Sequence, residues 1–458
     1  MTCYYCSFNI TTLIGIQIFA DEHRGQFCLL NFLNPDYRST ECSRRSLRLS
    51  ASKKELYKNM ISVDTAVKIV TDVVVPLTSR TVPFENALGF CIAQDVQSDI
   101  NMPPFDRSAM YGYAVIAEDT DRAPVELTVI EDIAAGHMPT KKVMRGQASK
   151  IMTGAAVPEG ADAVVKFEET EDLTANNRVK ILRTIDKGRN ISKMGEDMKV
   201  GQVVLLKGMP VRPQEIGILA TVGKSCVEVF STPTVGIIST GTELVDVESK
   251  PAAAQIRNSN GYSLAAQAGR LKADVELLGT VKDTKEEISR IMRMGLQKDI
   301  LILSGGVSMG EYDLVGDVMK DLNTQIYFEK VALRPGKPVI FGKIDQTFIF
   351  ALPGNPVASF VTFELFIYPA IRKMMGFTTI HRTTVKASLE TEILVKRKRR
   401  EYRPAFLRMQ NNMWFVSPVE WHGSADLLST TRANCLLIIR EDAEKLSVGQ
   451  LVDVILLD

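Results

Sequence analysis

Residues 299–313 read "DILILSGGVSMGEYD". An unbroken apolar run, Ile300 to Leu303, ends abruptly in a serine and two glycines. Such a run reads as a strand buried on both faces, and strands of that kind belong to parallel sheets covered by helices on either side. The flanking sequence keeps the pattern. "TVGIIST" (234–240), "DVELLGTV" (274–281), "QIYFEKVAL" (325–333), "VIFGK" (339–343) and "TFIFALPG" (347–354) read as further strands. "GYSLAAQAGRLK" (261–272), "TKEEISRIMRMG" (284–295) and one long segment, "PVASFVTFELFIYPAIRKMMG" (356–376), have helical spacing. Alternation of the two predicts a doubly wound, mostly parallel α/β sheet over 234–376.

The remainder of the chain has a different texture. In "MISVDTAVKIVTDVVVPL" (60–77), Ser62 can cap a helix whose apolar residues fall at helical spacing. Short apolar segments such as "VELTVI" and "ADAVVKF", punctuated by Gly and Pro, predict a small β-rich unit over 101–186. "GQVVLLKGMPVRPQEIGILATVG" (201–223) offers a strand, a turn and a helix that return to the first unit, so 59–100 and 187–233 are expected to form one discontinuous domain around the insertion. From 377 to 458, alternating runs such as "VKASLETEI", "MWFVSPV" and "LVDVILL" read as a small β-barrel or sandwich. Residues 1–58, with the basic, Ser-rich stretch "SRRSLRLSASKK" (43–54), are expected to be a disordered extension ending in a solvated linker.

Bulk properties exclude several function classes. At 458 residues the chain exceeds a single core, and its 45% hydrophobic and 24% charged residues are those of a globular protein. Its 55 basic and 54 acidic residues leave a net charge of +1, too balanced for a protein that lives on nucleic-acid phosphates. Seven cysteines spread thinly, an odd number, argue against a disulfide framework and for a reducing, cytoplasmic setting. Cys3 and Cys6 form a CxxC without a second pair at zinc spacing. No apolar run reaches 18 residues, and "TTLIGIQIFA" (11–20) lacks the flanks of a signal peptide, so no membrane insertion is expected. The four histidines are scattered, and no Ser-His-Asp or Cys-His set stands out.

In a doubly wound sheet, ligands sit beyond the carboxyl ends of the strands. Gly305 and Gly306 let backbone amides approach an anion, Ser304 and Ser308 add hydroxyls, and Glu311 and Asp313 are suited to a hard cation. A glycine-rich turn with a helix cap is the plainer alternative. In "PGNPVAS" (353–359), Asn355 reads as an N-cap and Pro356 as a first helical residue, which either ends a loop or aims free N–H groups at a phosphate. Lys330, Arg334 and Lys337 crowd "EKVALRPGKP" (329–338). "ISTGTELV" (238–245) ends another strand with Thr240, Thr242 and Glu243, and Asp283 follows the next, where helix capping competes with a role in the crevice. Three loops converging on one crevice imply a phosphate-bearing ligand and a divalent cation such as Mg²⁺.

"MPPFDRSAMYGYAV", "IMTGAAVPEGADAVV", "GED", "STGTEL", "IRNSNGY", "SGGVSMGEYD", "LRPGKP" and "FALPGNPVASF" occur in this order between residues 102 and 360. In these motifs the chain resembles the molybdopterin molybdenumtransferases, the family that includes the C-terminal part of gephyrin, over about residues 59–458. The resemblance implies a homodimer of four-domain subunits. It implies a reaction in which adenylylated molybdopterin, supplied upstream by a molybdopterin adenylyltransferase, and molybdate react with Mg²⁺-dependent release of AMP. Carried over by position, it implies catalytic roles for Asp197, Glu243, Asp283 and Asp313, the last three also as metal ligands. By position it puts Thr153, Lys330, Arg334, Pro353, Pro356 and Ser424 at substrate-binding positions, to which the crevice reading adds Ser304, Gly305, Gly306, Ser308, Lys337 and Asn355. Arg334 stands where lysine is frequent, Thr242 where Asp or Asn is usual, and Ser192 where Arg is common. The largest departure is Tyr111, which replaces the aspartate of the pattern "SAMDGYAV". A neutral tyrosine supplies no fixed charge for Mg²⁺ or molybdate, so Tyr111 is expected to impair turnover. A second reading follows from that departure, a catalytically silent scaffold that binds a receptor or other client protein.

Overall fold

The computed structural model describes residues 60–173, 176–307, 314–395 and 399–457, together with the backbone of 17–21 and 26–30. The chain divides into two units, 1–60 and 61–458. In the first, Gln17–Asp21 pairs antiparallel with Gln26–Leu30. These β-prone segments, "QIFAD" and "QFCLL", find each other inside an extension whose composition predicts disorder. Cys3, Cys6 and the 43–54 stretch lie outside the described residues.

The α/β sheet lies in the second unit. Its elements are β1 (Thr234–Thr240), α1 (Asn260–Arg270), β2 (Asp274–Val281), α2 (Lys285–Gly295), β3 (Ile300–Ser304), α3 (Leu314–Asp321), β4 (Gln325–Lys330), β5 (Pro338–Ile344) and β6 (Thr347–Leu352). Strand order is β2-β1-β3-β6-β5-β4. The first four strands are mutually parallel, and β5 and β4 complete the sheet antiparallel. Alternation along β3 explains its apolar run. Ile300 and Ile302 pack on one side with Leu264 and Ala268 of α1, while Leu301 and Leu303 pack on the other with Ile288 and Met292 of α2 and Val318 of α3. Each fully buried aliphatic of this kind contributes roughly 1.5–3 kcal/mol.

The long C-terminal helix is not uniform. It starts at Pro356, with Asn355 at the N-cap, runs to Thr362, widens into a π-helical turn over Phe363–Ile367, and resumes over Tyr368–Met374. Pro369 supplies the reason. A proline inside a helix has no N–H to donate and its ring crowds the carbonyl four residues back, which a widened turn relieves. That turn buries Glu364, whose carboxylate accepts from Gln267 Nε2 at 2.8 Å and Arg382 Nε at 2.7 Å.

After residue 101 the chain builds a six-stranded sheet, Thr170–Leu173, Arg178–Ile181, Val125–Ile133, Gln147–Ile151, Gly112–Val115 and Ala163–Lys166 in spatial order. Pairing of Ser79–Pro83 with Cys226–Phe230, and of Val96–Gln97 with Val203–Leu205, brackets it. At the C-terminal end, Arg400–Gln410, Met413–Pro418, Thr384–Leu389, Leu451–Leu456 and Cys435–Ile439 close into a five-stranded barrel. Among the described residues, no helix is long and apolar enough to cross a membrane.

The helix Val63–Val73, capped by Ser62 Oγ accepting from Thr65 N at 3.1 Å, is tied to the barrel by charge. Arg400 NH1 and NH2 donate to the Asp64 carboxylate at 2.5 and 2.9 Å, and Arg400 Nε donates to Glu441 at 3.0 Å. The guanidinium holds both carboxyls below their ordinary range. Carboxyls with depressed pKa contribute stability above their unfolded values, and lose it as pH falls through the folded ones. Arg400→Ala is therefore expected to melt below wild type at neutral pH and to converge with it as pH falls from about 6 to 3. A melting-temperature series across that range checks this, and a constant offset at every pH would refute the linkage.

Candidate functional site

Because β1, β2, β3 and β6 are parallel, the loops that follow them share one edge of the sheet. There they enclose a cavity of about 1110 Å³. The ends of β1 and β3 meet so closely that the chain has no room for a side chain. Gly305 has φ +103° and Gly306 φ +67°, backbone regions that favour glycine. A Cβ on Gly305 would stand 2.3 Å from the Thr240 carbonyl oxygen, and one on Gly306 2.7 Å from Val315 Cγ2. Thr240 Oγ1 is buried beside them with no hydrogen-bond partner among the described residues. Asn260 Nδ2, at the start of α1, donates to Ser304 Oγ at 2.9 Å and to the Gly354 carbonyl at 2.8 Å, tying the loops after β3 and β6 together.

Among the described residues two carboxylates line this cavity, Glu243 after β1 and Asp283 after β2, both exposed. Thr284, not Asp283, caps α2, since its hydroxyl accepts from Glu287 N at 3.3 Å. Asp283 is thereby left out of the cap. Ser308, Glu311 and Asp313 fall at 308–313, outside the described residues. Among the described residues no three His, Cys, Asp or Glu side chains gather as a metal site.

The opposite wall is cationic. Arg334 and Lys337, in the connection between β4 and β5, line it with Arg399 from the edge of the barrel. Burial pushes the Lys337 ammonium below its ordinary pKa, and the charges of Arg399 and Lys330 push it in the same direction. Lys330 itself is half-buried at the end of β4 and stands off the lining. Pro353, Gly354, Asn355 and Pro356 form the loop after β6, and Trp421 and Ser424 close the cavity from the barrel side. Asn355 begins its helix, yet its side chain makes no cap. Its Nδ2 donates to Ser424 Oγ at 2.8 Å, so the expected N-cap is a bridge to the barrel.

Thr153, Asp197 and Tyr111 are elsewhere. No described residue of 61–233 lines the cavity. Thr153 and Asp197 are exposed, with Asp197 Oδ2 3.7 Å from Arg107 NH2. Tyr111 lies flat on Phe167, ring centroids 5.0 Å apart at 27°, with Lys150 Nζ 6.0 Å from its centroid. The Tyr111 hydroxyl holds the Lys150 ammonium above its ordinary pKa. Strand-end loops alone do not point to Asn258, Asn260, Arg399 and Trp421, which also line the cavity. For the asparagines a signal existed, the short polar "NSN" run opening a helix just beyond a strand-end loop.

Three regions match known families along the chain. Residues 61–223 match the MoeA N-terminal region (domain I and II), 236–373 a probable molybdopterin binding domain, and 386–457 the MoeA C-terminal region (domain IV). This defines a multidomain protein built around a molybdopterin-binding α/β domain. A molybdopterin molybdenumtransferase from Staphylococcus aureus (strain COL) is 34% identical over 404 residues, 87% of this chain and 96% of that protein. One from Staphylococcus epidermidis is 33% identical over 401 residues, 86% and 95% of the two chains. The crystal structure of the molybdopterin biosynthesis moeA protein from Pyrococcus horikoshii OT3 superposes with TM-score 0.75 at 31% identity, covering 87% of this chain and all of that one. The chain belongs to the molybdopterin molybdenumtransferase family, a family of enzymes of molybdenum cofactor biosynthesis.

Gly305→Ala is expected to lose about 1–3 kcal/mol from backbone strain, besides the collision with Thr240. Gly354→Ala is the control, because its Cβ would meet nothing closer than Gly305 Cα at 3.6 Å and should be tolerated. Denaturant midpoints of the two variants check this, and equal stabilities would contradict the close approach of β1 and β3.

Proposed function

We propose that this chain transfers molybdenum from molybdate to adenylylated molybdopterin, with Mg²⁺-dependent release of AMP. One observation carries the reading. A large cavity joins a glycine-rich strand end, two carboxylates and a cationic wall, the set needed by a ligand bearing phosphates and by an oxyanion. Membership of the family supports a molybdopterin-related ligand.

In this reading the Gly306 N–H, with Ser304 Oγ, meets the phosphates, the Gly305 N–H being donated to the Leu352 carbonyl, and Arg334 and Lys337 hold negative charge on the facing wall. Glu243 and Asp283 are hard oxygen donors on one cavity wall and fit Mg²⁺, which accepts few carboxylates and keeps its remaining positions for water and phosphate. Glu243 and Asp283 would hold the cation, which would supply positive charge against the phosphates. Water attacks the adenylate phosphorus, the pterin-side phosphate oxygen leaves, and AMP departs. Molybdenum then bonds to the two dithiolene sulfurs as one molybdate oxygen takes up both thiol protons and leaves as water.

Residues from the inserted sheet and from the discontinuous first domain complete the site from a second copy. This accounts for Thr153, Asp197 and Tyr111 lying outside their own cavity. It also accounts for the exposure of large apolar residues on the same segments, Met110, Tyr111, Met152 and Met194. The upstream partner is the enzyme that adenylylates molybdopterin. Light scattering is expected to give twice the 50.7 kDa chain mass, and a monomer would remove the shared site.

The assay is molybdate-dependent AMP release from adenylylated molybdopterin. Asp283→Asn is expected to slow it roughly 10²–10³-fold, the usual effect of one positioned electrostatic group. Tyr111→Asp is expected to accelerate it, as restored negative charge faces the partner's cavity. No AMP release by wild type, with binding of the adenylylated ligand intact, would instead support the scaffold.

A further inference from the structure

One buried carboxylate lies behind the cationic wall and belongs to none of the strand-end loops. Glu401 is 3% exposed and sits on the barrel strand Arg400–Gln410, in parallel register with Arg334. Its Oε2 accepts from Arg334 NH1 at 2.9 Å, while its Oε1 accepts from Arg403 Nε at 2.8 Å and lies 2.7 Å from Arg403 NH2. Each oxygen thus serves one guanidinium. Both guanidinium carbons stand 5.9 Å from the centroid of the Trp421 ring, and the Trp421 indole N–H is itself fixed by donation to the Gly423 carbonyl.

We propose that Glu401 is a positioning residue. It sets the plane of the Arg334 guanidinium against Trp421, and so prepares the barrel side of the cavity for a tetrahedral oxyanion. The inference rests on the proposed function of the cavity and names the group that orients its cationic wall. A guanidinium recognises an oxyanion through directed N–H groups in a fixed fork, so its value depends on orientation in a way that a lysine ammonium's does not. One negative charge shared between two positive ones leaves a net positive charge facing the cavity, so Glu401 orients the wall without cancelling it. Buried at this depth, a carboxylate is stable only while paired, which makes the arrangement of the three side chains mutually dependent.

The chain has two tryptophans, so Trp414→Phe leaves Trp421 as the sole reporter in the full-length protein. Its fluorescence is followed while sodium molybdate is added. In that background the emission is expected to respond saturably. Glu401→Gln, which keeps the shape and removes the charge, is expected to alter the starting emission and weaken molybdate binding by up to about 10²-fold, the scale of a misplaced binding group. Glu401→Asp, which keeps the charge, is expected to recover part of that loss. The inference is overturned if the Gln variant titrates like its parent. It is equally overturned if Gln and Asp weaken binding alike in step with a fall in melting temperature, which marks a merely structural role, or if the parent shows no response. AMP release by wild type is measured separately, so the failure of the proposed reaction and the failure of Glu401 as its positioning group give different results.

Discussion

The contact between the Thr240 carbonyl and the backbone of Gly305 is the constraint on which the site depends. Two parallel strands, each apolar on both faces, end side by side, and their connections must turn away within a residue or two. A Cβ on Gly305 would force the ends apart, since it would stand 2.3 Å from the Thr240 carbonyl oxygen, and one on Gly306 would meet Val315 of α3 at 2.7 Å. The same closeness leaves Gly305 N donating to the Leu352 carbonyl at 3.1 Å, so the end of β6 is drawn into the same point. Three strand ends are therefore gathered by backbone alone. Asn260 then fastens the loops through two hydrogen bonds, and the crevice opens where doubly wound sheets bind ligands.

A cavity floor built this way is rigid, but its far wall belongs to another part of the fold. The two-residue strand Leu333–Arg334 joins the edge of the barrel alongside Arg400 and Glu401. Asn355 reaches Ser424 from the other side, and Val357 N donates to the Ser424 carbonyl at 3.0 Å. Arg400, one residue from Glu401, holds the first helix of the unit through Asp64. The barrel is thus attached to the α/β sheet on both flanks of the cavity. Side chains presented from regular strands keep their positions better than side chains on free loops.

Much of this is legible in the sequence, for a local reason. Buried parallel strands announce themselves as apolar runs, amphipathic helices as 3.6-residue spacing, and strand-end loops as glycine, serine and proline clusters. Gly305, Gly306, Glu243, Arg334 and Pro353 are therefore assigned to the crevice by local pattern alone. What local pattern does not carry is the pairing of residues distant along the chain. Asn260 meets partners 44 and 94 residues away, Arg334 meets Glu401 67 residues away, and Asn355 meets Ser424 69 residues away. Asn355 shows how a correct local reading can still err in detail. It stands at the start of a helix as its residue type suggests, while a tertiary partner takes its side chain. The π turn before Pro369 is likewise foreshadowed by a proline within a helical segment, but a single long helix is the simpler reading of that spacing.

The order of strands across the sheet also determines how charge is laid out in the cavity. Glu243 and Asp283 follow β1 and β2 at one side, while Arg334 and Lys337 precede β5 at the other, with the glycine-rich ends of β3 and β6 between them. Neighbouring strands lie about 4.8 Å apart, so the five spacings from β2 to β4 span roughly 24 Å. Over most of that width the acids and bases of the cavity cannot pair with each other, and charges separated by more than a Debye length of about 8 Å in physiological salt scarcely interact through water. On the side of β4 and β5, burial and then the charges of Arg399 and Lys330 push the Lys337 ammonium below its ordinary pKa. Under the proposed function, an extended ligand lies along the strand order, its phosphates toward β1, β2 and β3 and its oxyanion toward the barrel. Orientation in this site follows from topology before any individual side chain touches the ligand.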